Sequence, residues 1–149
     1  MQEALKLARI GASIGEVPVG AVLVVGHEII GAGWNQPISS TDPTAHAEVV
    51  ALRSSAANTG NYRLSESTLY VTLEPCPMCA GAIVLARVER VVFGAVALRT
   101  GAAGSVFNLL QSPHLNHRVE EIRGEVLADE CGKLLRDFFQ NRRLTTGVV

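Results

Sequence analysis

No apolar run in the 149-residue chain reaches the ~18 residues that a membrane-spanning helix needs. Met1 is not followed by the charged-then-apolar segment of a secretion signal, so the expected compartment is the cytoplasm. An excess of charge of one sign is missing too. Thirteen Lys and Arg stand against 14 Asp and Glu, for a net charge of −1. That balance removes a global basic field as a route to nucleic acid but leaves room for a local patch. Cysteine is scarce: three residues, an odd number without a secretion signal, argue against a disulfide framework. No internal repeat, low-complexity tract or linker-like stretch interrupts the sequence. The length fits one domain over residues 1–149, long enough to bury roughly two-thirds of its unfolded surface.

What is present has a regular order. Leu5, Ala8 and Ala12 recur at helical spacing within Gln2 to Ile14, and Gly15 is a stop. The valine-rich stretch Val17 to Val25 and the stretch Glu28 to Trp34, joined by Gly26-His27, read as a hairpin. The segment from Asn35 to Pro43 is rich in Pro and Ser and reads as a loop, after which Thr44 is expected to cap a helix from about Ala45 to Ala57. A strand from Thr68 to Leu73, a helix from Cys79 to Arg87 and a strand from Arg90 to Gly94 follow. Thr100 to Ser105 ("TGAAGS") reads as a flexible turn and Phe107 to Leu110 as one helical turn. Leu127, Cys131, Leu134 and Phe138 make one apolar stripe on a last helix from about Leu127 to Arg142. Strand–helix–strand units with helical crossovers imply a sheet covered on both faces, hence a three-layer α/β/α fold, and the opening hairpin makes the sheet mixed.

The chemistry is concentrated in two short stretches. In "LEPCPMCAGA" (Leu73 to Ala82), Cys76 and Cys79 stand three apart where a strand hands over to a helix. Pro77 suits the first helical position, where its missing amide hydrogen would have had no partner. Both thiols then project from one face of the first turn, near the positive end of the helix dipole, which favours thiolates. A redox dithiol and half of a metal site remain open at that point. "TAHAE" (Thr44 to Glu48) decides between them, because a redox pair needs neither His46 nor Glu48. Two helix starts, one with His46 and one with Cys76 and Cys79, supply three zinc ligands and leave the fourth tetrahedral position open, as in catalytic rather than structural sites. His27, His114, His117 and Cys131 are the only other soft donors, and His114 and His117 are the serious alternatives for a fourth ligand. Glu48, two residues from His46, is placed to reach water at the open position and to move protons, rather than to bind the same ion.

His46-Ala47-Glu48 followed by Pro75-Cys76-Pro77-Met78-Cys79 is the His-x-Glu…Pro-Cys-x-x-Cys signature of zinc deaminases. The stretches "EVPVGAVLV", "GWN", "DPTAHAE", "NYRL", "TLYVTLEPCPMCAGA", "RVVFGA", "TGAAGS", "NHRVE" and "LADEC" occur in the order seen in bacterial tRNA-specific adenosine deaminases of the TadA type. From about Glu16 to Arg143 the chain resembles that family. The resemblance implies a cytidine-deaminase-like sandwich with a five-stranded mixed sheet, a homodimer, one zinc ion per subunit, and hydrolytic conversion of the wobble adenosine of a tRNA anticodon to inosine. It further implies that Asn35 contacts the target nucleotide and that the Pro75 carbonyl and the Ala47 amide meet the leaving amine and the base. Val19 would help wall the pocket. Phe139, Arg142 and Arg143 would meet the anticodon stem-loop, while Phe138 lies on the core stripe. One departure stands out. After "VFGA" the family commonly has an acidic residue and then a lysine, whereas this chain reads Val96-Ala97-Leu98-Arg99.

Two other functions fit the same core motif. A deaminase of a free base or nucleoside (cytosine, cytidine or guanine) would use the same zinc and glutamate. A non-catalytic, RNA-binding zinc protein would keep the ligands and have no need of Glu48. The flanking stretches favour the tRNA enzyme over the first, and Glu48 itself argues against the second.

Overall fold

A computed structural model describes residues 1–147. Four helices and five strands follow in the order α1 (Gln2–Ser13), β1 (Gly20–Val25), β2 (Glu28–Trp34), α2 (Ala47–Thr59), β3 (Ser67–Leu73), α3 (Pro77–Leu85), β4 (Arg90–Ala95), β5 (Glu121–Arg123) and α4 (Ala128–Thr146). The strands form one mixed sheet in the order β2-β1-β3-β4-β5. β1 is antiparallel to β2 and β3, and β3, β4 and β5 run parallel. α2 and α3 pack together on one face, α1 and α4 on the other, so the architecture is the expected three-layer α/β/α sandwich. Among the described residues, no helix is long and apolar enough to cross a membrane.

The larger core lies between the sheet and α2/α3. Leu23, Leu69, Val71 and Val91 meet Ala51, Leu52, Ile83 and Val84 there. On the other face Ala4, Leu5, Ala8, Val22 and Cys131 are buried under α1 and α4. α2 reaches unusually close to β2 because two glycines face it. A Cβ on Gly31 would run into the Ser55 hydroxyl and lie 2.6 Å from the Ser55 nitrogen, and one on Gly33 would lie 2.7 Å from Val50 Cβ.

The strand directions place the chemistry. β2, β3 and β4 all point the same way, so the segments after Trp34, Leu73 and Ala95 emerge at one end of the sheet. In α/β folds such an end, outside the carboxyl termini of the strands, is where ligands bind.

Several boundaries differ from the sequence expectation. β1 starts at Gly20 rather than Val17, because Pro18 has no amide to give and the Val19 amide closes a tight turn onto the Val17 carbonyl. α2 starts at Ala47 with His46 as N-cap, and Thr44 bonds backward to Asp42 instead of capping. α3 begins at Pro77 and ends at Leu85. Phe107 to Leu110 is not helical: Asn108 pairs in a bridge with Ala103. Residue-by-residue reading found no strand at Glu121–Arg123; this edge strand is three residues long, and two of them are exposed and charged. α4 continues past Arg142 to Thr146.

Candidate active site and metal centre

α2 and α3 both start at this end of the sheet, and each start carries ligand-type side chains. His46 is the N-cap of α2 with extended backbone (φ −71°, ψ 153°), and Cys76 is the N-cap of α3 (φ −76°, ψ 172°). Cys79 lies one turn into α3, behind Pro77 at the first helical position. The Nδ1 atom of His46 sits 3.6 Å from Cys76 Sγ and 3.5 Å from Cys79 Sγ. Around a tetrahedral zinc ion with ordinary bond lengths, a nitrogen and a sulfur ligand stand about 3.6 Å apart. The three donor atoms therefore already hold zinc-ligand spacing. Among the described residues, no other group of three or more His, Cys, Asp or Glu side chains converges in this way. His117 is occupied elsewhere, with Nε2 2.8 Å from the Val88 carbonyl, and His114 is exposed in a loop. Neither supplies a fourth ligand.

The electrostatics suit a cation. The Cys76 thiol is pushed down to about 4, chiefly by the hydrogen bond from Cys79 and further by His46. The Cys79 thiol moves the other way, raised by that same hydrogen bond and by burial. One proton is thus shared unequally by the pair, and a divalent cation favours the loss of the second. His46 is raised, first through its hydrogen bond with Cys76. Glu48 is in the first turn of α2, 4% exposed, and burial raises its carboxyl to about 7. A carboxyl poised there exchanges protons near neutral pH, as a general acid–base group must.

The other residues singled out in the sequence fall into two groups. Asn35, Ala47, Val19 and Pro75 gather at this end of the sheet. Asn35 is buried, and its Oδ1 accepts the Ala47 amide at 2.8 Å, while its backbone N–H donates to the Val19 carbonyl at 3.1 Å. Asn35 thus satisfies a free amide at the start of α2, a task usually left to the cap residue. The Pro75 carbonyl accepts the Ala102 amide at 2.8 Å and keeps a second lone pair. Phe139, Arg142 and Arg143 lie apart on α4. Phe139 is exposed and edge-on to Phe138 at 5.5 Å, the Arg142 guanidinium lies 5.5 Å from the Phe138 ring centre, and Phe139 and Arg143 line a shallow groove with Arg136.

Sequence reasoning missed the residues that hold the loops in place. Glu16, buried, accepts the Ser39 amide at 2.7 Å, and Asp42 accepts both the amide and the hydroxyl of Thr44. Glu74, adjacent to the cysteine motif, is buried and accepts from Ala97, Ala103 and Ser105. A charged residue beside an apolar strand end was the only signal for the last of these.

Comparison with known proteins agrees with the geometry. The family model for the cytidine and deoxycytidylate deaminase zinc-binding region matches residues 1–95. A tRNA-specific adenosine deaminase of Haemophilus influenzae is 56% identical over 144 residues, 96% of this chain and 83% of that protein. The tRNA-specific adenosine deaminase of Bacillus subtilis is 48% identical over 143 residues, covering 96% and 88%. Among solved structures, one from a study of A-to-I editing by tRNA:A34 deaminases at the wobble position of transfer RNA superposes with a TM-score of 0.87 at 37% identity, covering 91% of this chain and 97% of that one. A guanine deaminase from Bacillus subtilis superposes with a TM-score of 0.63 at 42% identity, covering 71% and 67%.

Proposed function

The chain belongs to the cytidine and deoxycytidylate deaminase zinc-binding family, and from that premise we propose that it is a zinc-dependent tRNA adenosine deaminase. It converts the wobble adenosine of an anticodon to inosine and releases ammonia. The observation that carries the reading is the convergence of His46, Cys76 and Cys79 at zinc-ligand spacing beside a buried Glu48, in a chain closely similar to tRNA-specific adenosine deaminases over nearly its whole length.

His46, Cys76 and Cys79 hold the zinc ion. When bound, zinc supplies the Lewis acidity that makes water a nucleophile near neutral pH. Glu48 takes a proton from the attacking water and delivers it to the ring nitrogen beside the attacked carbon. It then takes the remaining proton of the added hydroxyl and delivers it to the amine, which departs as ammonia while the carbonyl forms. Asn35 orients the target nucleotide through its side-chain nitrogen, with Val19 at the pocket wall and the Pro75 carbonyl near the amine. The Ala47 amide, expected to meet the substrate, instead donates to Asn35 Oδ1 and holds that side chain in place. A base in a loop is already partly unstacked, so its extrusion costs less than from a duplex. Phe139 stacks on the loop, and Arg142 and Arg143 meet its phosphates. The domain works as a single unit over residues 1–149, in the cytoplasm, and as a homodimer. An apolar hollow between α2 and α3, rimmed by the exposed Tyr62 and Leu85, supports the dimer.

The likeness to a guanine deaminase keeps a free base as the second reading. Purified protein incubated with an anticodon stem-loop, free adenosine, cytidine and guanine separates the two, with inosine and ammonia as readouts. Deamination of the stem-loop alone supports the tRNA reading; turnover of a free base with the stem-loop untouched refutes it.

A further inference from the structure

Glu74 is the last residue before the Pro-Cys motif, buried to 2% exposure, and the reaction as described does not use it. Four donors converge on its two oxygens. Oε1 accepts the Ala103 and Ser105 amides, each at 3.1 Å, and Oε2 accepts the Ala97 amide at 3.0 Å and the Ser105 hydroxyl at 2.7 Å. Three of these donors are backbone N–H groups, which can only donate, so both oxygens act as acceptors. No Lys or Arg forms an ion pair with it among the described residues. A buried carboxyl group held by hydrogen bonds alone is costly unless every bond is kept.

The donors all belong to the segment after β4. Gly101 passes so close that a Cβ there would strike both the Ser105 hydroxyl and the Glu74 carboxylate, and Gly104 adopts φ +124°, which L side chains rarely take. These two glycines let the chain wrap around the carboxylate. The Ala102 amide bonds to the Pro75 carbonyl at 2.8 Å, so the wrapped segment rests directly against the residue that precedes ligand Cys76. It carries the exposed side chains Leu98, Val106 and Phe107 to the same end of the sheet.

We propose that Glu74 is a positioning residue for the deaminase reaction: it clamps residues 96–107 into a fixed wall beside the metal centre, against which the RNA docks. The inference rests on the tRNA reading for its substrate, while the clamp stands on the hydrogen bonds themselves. Glu74 touches neither substrate nor metal. Its influence passes through the Ala97, Ala103 and Ser105 backbone, and its loss weakens substrate binding more than the chemical step.

The test compares zinc-loaded wild type with Glu74→Gln, Ser105→Ala and the double variant. An amide side chain offers one acceptor oxygen and places its NH2 against two of the donors. It therefore keeps the shape and breaks the clamp. The expected result is full zinc content, faster amide hydrogen exchange within residues 96–107, and a stem-loop KM raised about tenfold or more with a smaller change in kcat. Ser105→Ala shifts KM in the same direction by less, and adding it to Glu74→Gln costs less than the product of the single effects. Unchanged exchange, unchanged KM, or a zinc loss that accounts for the lost activity would overturn the proposal. If Glu74→Gln does not fold, Ser105→Ala decides by the same exchange and KM readouts. A wild type that leaves the stem-loop untouched refutes the tRNA reading instead, and the exchange data then judge the clamp by themselves.

Discussion

Replacing Asn35 with Ala should destabilise the protein and loosen its metal centre together. The Asn35 side chain accepts the Ala47 amide at 2.8 Å from a position only 9% exposed, and Ala47 is the first residue of α2, between His46 and Glu48. Alanine removes the acceptor and leaves that amide buried without a partner, since the His46 side chain makes no capping bond. An unsatisfied buried donor costs about 1–3 kcal/mol, more than the net worth of the bond itself. For a domain of this size that corresponds to a fall in Tm of roughly 3–10 °C. Differential scanning calorimetry of the zinc-loaded protein measures it, and zinc release to a chromogenic chelator should be faster because the first turn that carries His46 is less well held. A Tm within about 1 °C of wild type with unchanged zinc release would refute the reasoning. It would mean that water satisfies the Ala47 amide and that Asn35 does not shape the site.

Gly31→Ala drives a Cβ into Ser55 and Ala51 and pushes α2 off β2; overpacking of this kind costs about 1–3 kcal/mol. Because α2 carries Glu48, activity should fall further than stability, which parallel melting and rate measurements will show. The Asp42 carboxyl is held below the usual value of 3.8, first by the Thr44 hydroxyl and then by the Thr44 amide. A lowered carboxyl stabilises the fold above its unfolded value and loses that effect as pH falls through its folded value. Asp42→Ala should therefore melt below wild type at neutral pH, with the gap closing as pH falls below 3.8; a gap independent of pH would contradict this. Cys76, pushed down to about 4, should be alkylated faster near neutral pH than Cys79 or Cys131 once zinc is removed, and zinc should suppress the reaction. Equal labelling of the three thiols by mass spectrometry would count against it.

Much of the site was legible because its chemistry is local. His46, Glu48, Cys76 and Cys79 lie in two short stretches whose spacing already suggests helix starts, and the structure brings the three donors to zinc-ligand distance. The α/β layering was legible from the alternation of elements. What residue-level reading missed depends on contacts made across the fold. No local pattern shows that Thr44 would turn back to Asp42 and leave His46 as the cap, and three residues at a charged sheet edge carry too little apolar alternation to read as β5. The helical turn expected at Phe107 to Leu110 fails because this stretch is shaped by the Ala103–Asn108 bridge and by the segment that Glu74 gathers. Asn35 illustrates both sides. The resemblance singled it out as a candidate, but its bond to the Ala47 amide needed the fold.

The most direct test of the account is single-turnover inosine formation in an anticodon stem-loop with adenosine at the wobble position, with zinc-loaded wild type beside zinc-loaded Glu48→Gln. The account predicts stoichiometric inosine with wild type. It predicts a rate lower by at least about 10²-fold in the variant at unchanged zinc content, the scale of a lost general acid–base group. An untouched stem-loop, or a variant that reacts as fast as wild type, would contradict it.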